Sequence, residues 1–163
     1  MSHSIQLRTA TPADVPQILA FIQGLAEYER LAHACVATEA SLMATLFGSR
    51  PYAEVILAAF DEKPAGFALF FHNYSTFLAA PGIYLEDLYV VPERRSHGIG
   101  KALLRELARL AVERGCGRLE WSVLDWNEPA IQFYRSLGAE AKDEWTTFRL
   151  AGAALRRVSG HAK

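Results

Sequence analysis

Cysteine is scarce in this sequence. Cys35 and Cys116 are the only two among 163 residues, far apart and without a CxxC spacing. Neither a disulfide framework nor a thiolate zinc site is expected; the pair reads as idle thiols of a reducing compartment, the cytoplasm. The five histidines form no i,i+4 pair, so no metal is expected. An excess of one charge is missing too, since 17 Lys and Arg against 18 Asp and Glu leave a net charge of −1. No nucleic acid and no membrane surface is therefore expected as a partner. No stretch approaches the ~20 apolar residues of a membrane-spanning helix. The opening, Met1 to Asp14, shows neither the basic start nor the apolar centre of a secretory signal. Repeats, low-complexity tracts and linkers are lacking as well.

What is present suffices for a core. Hydrophobic residues make up 51% and charged residues 21%, ordinary globular usage for a chain that needs no covalent staples. One domain is expected over residues 1–158, with 159–163 as a frayed tail.

Ile5, Leu7 and Thr9 alternate with polar neighbours and predict a first strand. Thr11-Pro12-Ala13-Asp14 reads as a helix start, with Thr11 as cap and Asp14 favourably placed for the dipole. Val15, Ile18, Leu19, Ile22, Leu25 and Ala26 share one helical face, so that helix runs to about Tyr28-Glu29. A second helix follows Thr38 and carries Leu42, Leu46 and Phe47. Three strands come next: Ala53–Phe60, Ala65–Tyr74 after the turn Asp61-Glu62-Lys63-Pro64, and Ile83–Val91, stopped by Pro92. A long helix after Gly100 puts Leu103, Leu104, Leu107, Leu110 and Ala111 on one face and ends at Gly115. Arg118–Leu124 reads as a strand, Asn127 as the cap of a short helix closed by Gly138, and Trp145–Leu150 as a last strand. The order is β-α-α-β-β-β-α-β-α-β. An antiparallel meander followed by a strand–turn–helix–strand crossover makes a mixed sheet, of class α+β (α/β).

The turn Arg95-Ser96-His97-Gly98-Ile99-Gly100-Lys101 joins a strand to a helix N-terminus, where free N–H groups and the dipole favour an anion. Glycines at 98 and 100 let backbone approach a ligand closely. A Walker A loop would need Gly at Arg95 and a hydroxyl at Ala102. A dinucleotide fingerprint beginning at Gly98 would need a small residue at Leu103. Both nucleotide patterns fail.

Arg95-x-x-Gly98-x-Gly100 resembles instead the pyrophosphate motif of the Gcn5-related N-acetyltransferases (GNAT). Tyr84-Leu85-Glu86-Asp87-Leu88-Tyr89-Val90, Trp126-Asn127-Glu128-Pro129-Ala130-Ile131-Gln132-Phe133-Tyr134 and Leu25-Ala26-Glu27-Tyr28-Glu29 are similar to the spermidine/spermine (diamine) branch. The resemblance implies a mixed, mostly antiparallel twisted sheet flanked by helices, acetyl-CoA as cosubstrate, a small cationic amine as acceptor and a homodimer. It implies cofactor contacts at Leu88, Tyr89, Val90, Arg95, Ser96, His97, Gly98, Ile99, Gly100 and Lys101, and at Asn127, Glu128, Pro129 and Ala130. Acceptor contacts are implied at Tyr28, Glu29, Glu86, Asp87, Glu120 and Trp121. Many relatives carry Gly where Ser96 stands. The stretch from Gly138 to Trp145 is shorter than in animal polyamine enzymes, which favours a short diamine or lysine-like amine.

Acetyl transfer to an amine needs a base, because an alkyl ammonium with pKa near ~10.4 is almost fully protonated at neutral pH. Glu86, acting through a water, is the candidate base; otherwise its charge holds the substrate. Asp87 falls on the opposite strand face unless a bulge intervenes, and a bulge here is what the resemblance implies. Tyr134 is the candidate acid for the leaving thiolate, with Phe133 turned inward beside it. Trp121 and Trp126 read as core or interface aromatics, Trp121 alternatively as a wall of the acceptor site beside Glu120. Competing functions are a different acceptor, such as an aminoglycoside or a protein amine, and a non-catalytic acyl-CoA sensor.

Overall fold

The computed structural model describes residues 4–160, which form two compact units divided between Leu124 and Asp125. The first unit holds β1 (Ile5–Thr9), α1 (Val15–Tyr28), α2 (Glu39–Leu46), β2 (Glu54–Phe60), β3 (Lys63–Ser75), β4 (Ala80–Val90), α3 (Ile99–Glu113) and β5 (Leu119–Trp121). The second holds α4 (Glu128–Ser136) and α5 (Gly152–Val158). The strands run in the order β1-β2-β3-β4-β5, antiparallel up to β4 and parallel between β4 and β5. That parallel pair requires the long crossover that α3 supplies.

Local chemistry explains the entry into α1. The Thr11 N–H and hydroxyl donate to Asp14 Oδ2 at 2.7 and 2.9 Å, and Arg8 donates to both carboxylate oxygens at 2.7–2.8 Å. The guanidinium and these donors hold the Asp14 carboxyl well below the usual carboxylate range. A single 3-10 turn at Pro12–Asp14 then leads into the helix. The helix expected after Thr38 forms, and Thr38 caps it, its Oγ1 accepting from the Ser41 N–H at 3.1 Å.

The β2–β3 turn is tighter than expected. Only Asp61 and Glu62 lie outside the strands, at φ 49° and 65°, the double left-handed conformation of a two-residue hairpin. Lys63 and Pro64 belong to β3, opposite Phe60 and Ala59. Ala65 is then an extra residue in the ladder, and its carbonyl accepts the Val91 N–H at 2.9 Å. That bond ties the end of β4 to the start of β3.

The sheet has two covered faces. Val55, Leu57, Phe67 and Tyr89 pack against Val15, Ile18, Phe21 and Leu25 of α1 and Leu42 and Leu46 of α2. Phe21, absent from the expected apolar stripe, stacks on Phe67 with centroids 5.6 Å apart. The other face buries Ile56, Phe70, Ile83 and Leu85, and α3 buries Ile99, Leu103, Leu104, Leu107 and Ala111.

Two expectations near the C-terminus are corrected. The strand expected over Arg118–Leu124 spans only Leu119–Trp121, and the last strand over Trp145–Leu150 does not form. Trp145 and Phe148 are 76% and 92% exposed. Alternation and β-branching stabilise a strand only through cross-strand neighbours, and no backbone ladder joins these residues. The chain instead ends in α5, where Ala153, Ala154, Leu155, Arg156 and Arg157 are strong helix formers. Of the expected tail, Ser159 and Gly160 close this helix through bonds to Leu155 and Arg157 carbonyls; residues 161–163 lie outside the described residues.

The Tyr89 hydroxyl presses against α1 at Gly24, where an added Cβ would lie 2.5 Å from the oxygen and 2.8 Å from Cζ. Helix propensity alone favours Gly24→Ala by about 1 kcal/mol, yet overpacking of this kind costs about 1–3 kcal/mol. Thermal unfolding of Gly24→Ala is expected to show a midpoint lowered by several degrees. Adding Tyr89→Phe, which removes the nearest atom, recovers part of the loss.

Candidate active site

The site begins with an irregularity in β4. Leu69 of β3 faces Asp87 and the next residue, Phe70, faces Leu85, so Glu86 is an extra residue without a partner. Paired residues share a face and neighbours alternate. Leu85 therefore lies with Phe70 on the α3 side, and Asp87 with Leu69 on the α1 side. Without the bulge, Asp87 would follow Leu85 toward α3. The bulge delivers a carboxylate to the α1 side and leaves Leu85 buried. It is the condition under which adjacent Glu86 and Asp87 serve one site.

The end of α1 supplies a third acid. Glu29 caps the helix, its N–H donating to the Leu25 carbonyl at 2.9 Å, and Arg30 turns the chain away at φ 61°. Asp87 is half-buried, and its carboxyl is pushed up to about 6, first by burial and then by the charges of Glu86 and Glu29. Burial raises the Glu29 carboxyl as well. Carboxylates that make one another's ionisation costly suit a cation chemically, because a positive charge among them offsets both burial and repulsion.

Next to this cluster the chain turns into α3. Pro92–Arg94 makes one 3-10 turn, and Ser96 and Gly98 follow at φ 64° and 81°. A Cβ added to Gly98 would meet nothing within 4 Å, so open space lies before the helix. The first helical bond runs from the Ala102 N–H to the Gly98 carbonyl at 2.9 Å, which leaves the amides of Gly98, Ile99, Gly100 and Lys101 without intrahelical acceptors. Those amides head a 15-residue helix, with Lys101 exposed, while the Arg94 guanidinium lies 5.3 Å from the Phe60 ring centroid. The arrangement fits a pyrophosphate such as that of coenzyme A. Ser96 holds a left-handed conformation that costs a residue with a Cβ about 1 kcal/mol, so a glycine would be relaxed here.

Arg95 is placed differently from the rest of the turn. Its guanidinium lies 4.4 Å from the Tyr28 ring centroid and 5.9 Å from that of Tyr89, and its Nε–H donates to the Val90 carbonyl at 3.1 Å. His97 Nδ1 is 2.8 Å from the Arg95 carbonyl oxygen, and its ring meets Phe60 edge-on at 4.9 Å. Leu88 and Val90 pair with Ala68 and Gly66 toward α3, and Tyr89 pairs with Phe67 toward α1. Sequence reasoning had no signal for the Arg95–Tyr28 stack or for the shift at Asp87, since both join residues far apart in the chain.

Two expected acceptor residues stand apart from one another. Glu120 pairs with Tyr84 and Trp121 with Leu85, on opposite faces. The Glu120 carboxylate is already engaged by Arg118 Nε at 2.7 Å and Asn73 Nδ2 at 2.9 Å. In the second unit, Asn127 is buried at the N-cap of α4, where its carbonyl accepts the Ile131 N–H at 3.1 Å, but its side chain makes no cap bond. Glu128 and Pro129 are exposed and Ala130 is half-buried in the first turn of that helix. The Phe133 and Tyr134 rings stand 5.5 Å apart, both half-buried. Among the described residues no group of three or more His, Cys, Asp or Glu gathers as metal ligands would, and no helix is long and apolar enough to cross a membrane.

Comparison with known proteins agrees with this geometry. Residues 21–139 match the model of the acetyltransferase (GNAT) family. An L-ornithine N5-acetyltransferase of Arabidopsis thaliana is 37% identical over 94% of this chain and 87% of its own. A thialysine N-epsilon-acetyltransferase of Bos taurus is 36% identical over 96% of this chain and 98% of its own. Among solved structures, an integron cassette protein from the mobile metagenome of V. cholerae superposes with a TM-score of 0.81 at 26% identity, covering 96% of this chain and 98% of that one.

The raised Asp87 carboxyl has a consequence for stability. Its folded pKa of about 6 lies above the ordinary aspartate range, so the folded state is favoured while Asp87 is protonated. That contribution is complete below the unfolded pKa and is lost as pH rises through 6. Asp87→Asn has no such loss. Denaturant unfolding is expected to show the variant gaining on the parent by about 1–3 kcal/mol between pH 4 and pH 7; a difference independent of pH would contradict the burial described.

Proposed function

We infer the function from a premise and a site: the chain belongs to the acetyltransferase (GNAT) family, and its acid cluster is built for a cation. The protein is an acetyl-CoA-dependent N-acetyltransferase, and in our reading its acceptor is the primary amine of a small cationic molecule, a short diamine or a lysine-like amine. The observation that carries this is the grouping of Glu29, Glu86 and Asp87, with Asp87 pushed up to about 6. Ornithine and thialysine, named for two relatives, are amino acids with a side-chain primary amine, which supports the same class.

Bound at residues 95–101, acetyl-CoA supplies a thioester carbonyl for the amine to attack. Three tasks fall to this chain. The cluster must accept the ammonium proton, and a base works best with a pKa near the working pH. Sequence alone pointed to Glu86; the position of Asp87 near 6 makes Asp87 the better matched acceptor, with Glu86 and Glu29 holding a second positive group. Backbone amides of Leu88, Tyr89 or Val90, beyond the bulge, face the charge developing on the carbonyl oxygen. Tyr134 gives its hydroxyl proton to the leaving thiolate, a role supported by its match to the family's acid position.

The reading includes a homodimer in the cytoplasm. Exposed Trp145, Phe148 and Leu150 support the first, since apolar groups left in water favour a partner. Free Cys35 and Cys116 support the second.

Thiol-release assays with acetyl-CoA test the acceptor. A diamine is expected to exceed a monoamine of equal length in kcat/KM by about 10-fold or more, the effect of one charged contact. The acid limb of the pH profile of kcat/KM for the diamine should fall with an apparent pKa near 6 and disappear in Asp87→Asn. Equal values for the two amines would refute the cation site.

Tyr134→Phe is expected to lower kcat by about 10²-fold or more, the usual contribution of a general acid, with acetyl-CoA affinity by calorimetry unchanged. Wild-type turnover in that variant would assign the proton to another group.

A further inference from the structure

Arg95 sits at the head of the pyrophosphate turn, yet its side chain reaches back into the fold. It lies over Tyr28 at 4.4 Å, near Tyr89 at 5.9 Å, and donates from Nε to the Val90 carbonyl at 3.1 Å. One planar cation therefore bridges three elements: the end of α1 that carries Glu29, the end of β4 beyond the bulge, and the turn into α3. Tyr89 is itself wedged against Gly24 of α1 and tilted on Phe21 at 6.1 Å, so α1 and β4 also meet directly through Tyr89. A rigid fork stacked on aromatic faces fixes orientation as a flexible ammonium does not.

We propose that Arg95 is a positioning residue that couples the two substrate sites. Its stack on Tyr28 sets Glu29 beside Asp87, and its backbone sets the turn that receives the pyrophosphate, so each bound substrate stabilises the arrangement the other needs. The identity of the ligands rests on the function proposed above; the support that the Arg95–Tyr28 stack gives to the turn is measurable with acetyl-CoA alone, and its reach to the acid cluster with the amine.

Calorimetry with acetyl-CoA on Tyr28→Leu, Arg95→Lys and the double variant tests it. Tyr28 lies outside the turn and is 37% exposed, so its truncation leaves the core filled. Tyr28→Leu and Arg95→Lys are each expected to weaken acetyl-CoA by about 3–10-fold, the scale of one cation–aromatic contact. The double variant should be no weaker than either single one, because both remove the same stack. Tyr28→Phe, which keeps the ring face, should bind acetyl-CoA as the parent does. With a diamine and saturating acetyl-CoA, Arg95→Lys should raise the amine KM by a similar factor and change kcat less. Additive losses in the double variant, or a large loss in Arg95→Lys with parent affinity in Tyr28→Leu, would overturn the coupling and make Arg95 a phosphate ligand acting alone. A parent enzyme that binds acetyl-CoA but acetylates no amine would refute the acceptor reading and leave the calorimetric cycle to decide the coupling.

Discussion

Alternation along a strand is the constraint on which the site depends. β4 feeds apolar side chains to both faces of the sheet, and an unbroken strand would place Asp87 with Leu85 in the α3 core. The extra residue Glu86 shifts the phase by one, so that Ile83 and Leu85 before it, and Leu88 and Val90 after it, face α3. Tyr84 before it, and Asp87 and Tyr89 after it, face α1. Chemistry and packing are thus separated in a single strand, at the cost of one unpaired position in the ladder.

That separation sets the electrostatics. Asp87 meets Glu29 because α1 ends where the re-phased strand presents its carboxylate, and burial with two like charges raises the cost of ionising it. A carboxylate that is costly to ionise alone suits a cation as ligand, since the opposite charge lowers that cost. The strained Ser96 and the open space at Gly98 put a second unsatisfied feature, a set of orphan amides, one short turn away. The two are joined through Arg95, whose contacts lie on the α1 and β4 sides.

Legibility in the sequence followed the range of the interactions. The helix start after Thr38, the stop at Pro92 and the turn at Gly98 are local and legible in the chain, whereas Thr11 heads a 3-10 turn and Asp14 takes the N-cap of α1. The acids of the cluster and the family were legible as motifs. The bulge was not, because Tyr84 to Val90 alternates plausibly with or without an extra residue; only the resemblance implied it. Trp145–Leu150 shows the converse, a good strand pattern with nothing paired to it. The stack of Arg95 on Tyr28 and the mutual repulsion of Glu29 and Asp87 arise between distant segments, so no window of sequence contains them.

The central claim is that the bulge places Asp87, half-buried, among acids on the α1 face. Carboxyl carbon NMR titration of the uncomplexed protein, with Asp87 assigned by comparison with Asp87→Asn, measures this directly. The account predicts a midpoint near 6 that moves down in Glu29→Gln as one repelling charge is removed. A midpoint in the ordinary aspartate range, unmoved by Glu29→Gln, would contradict it.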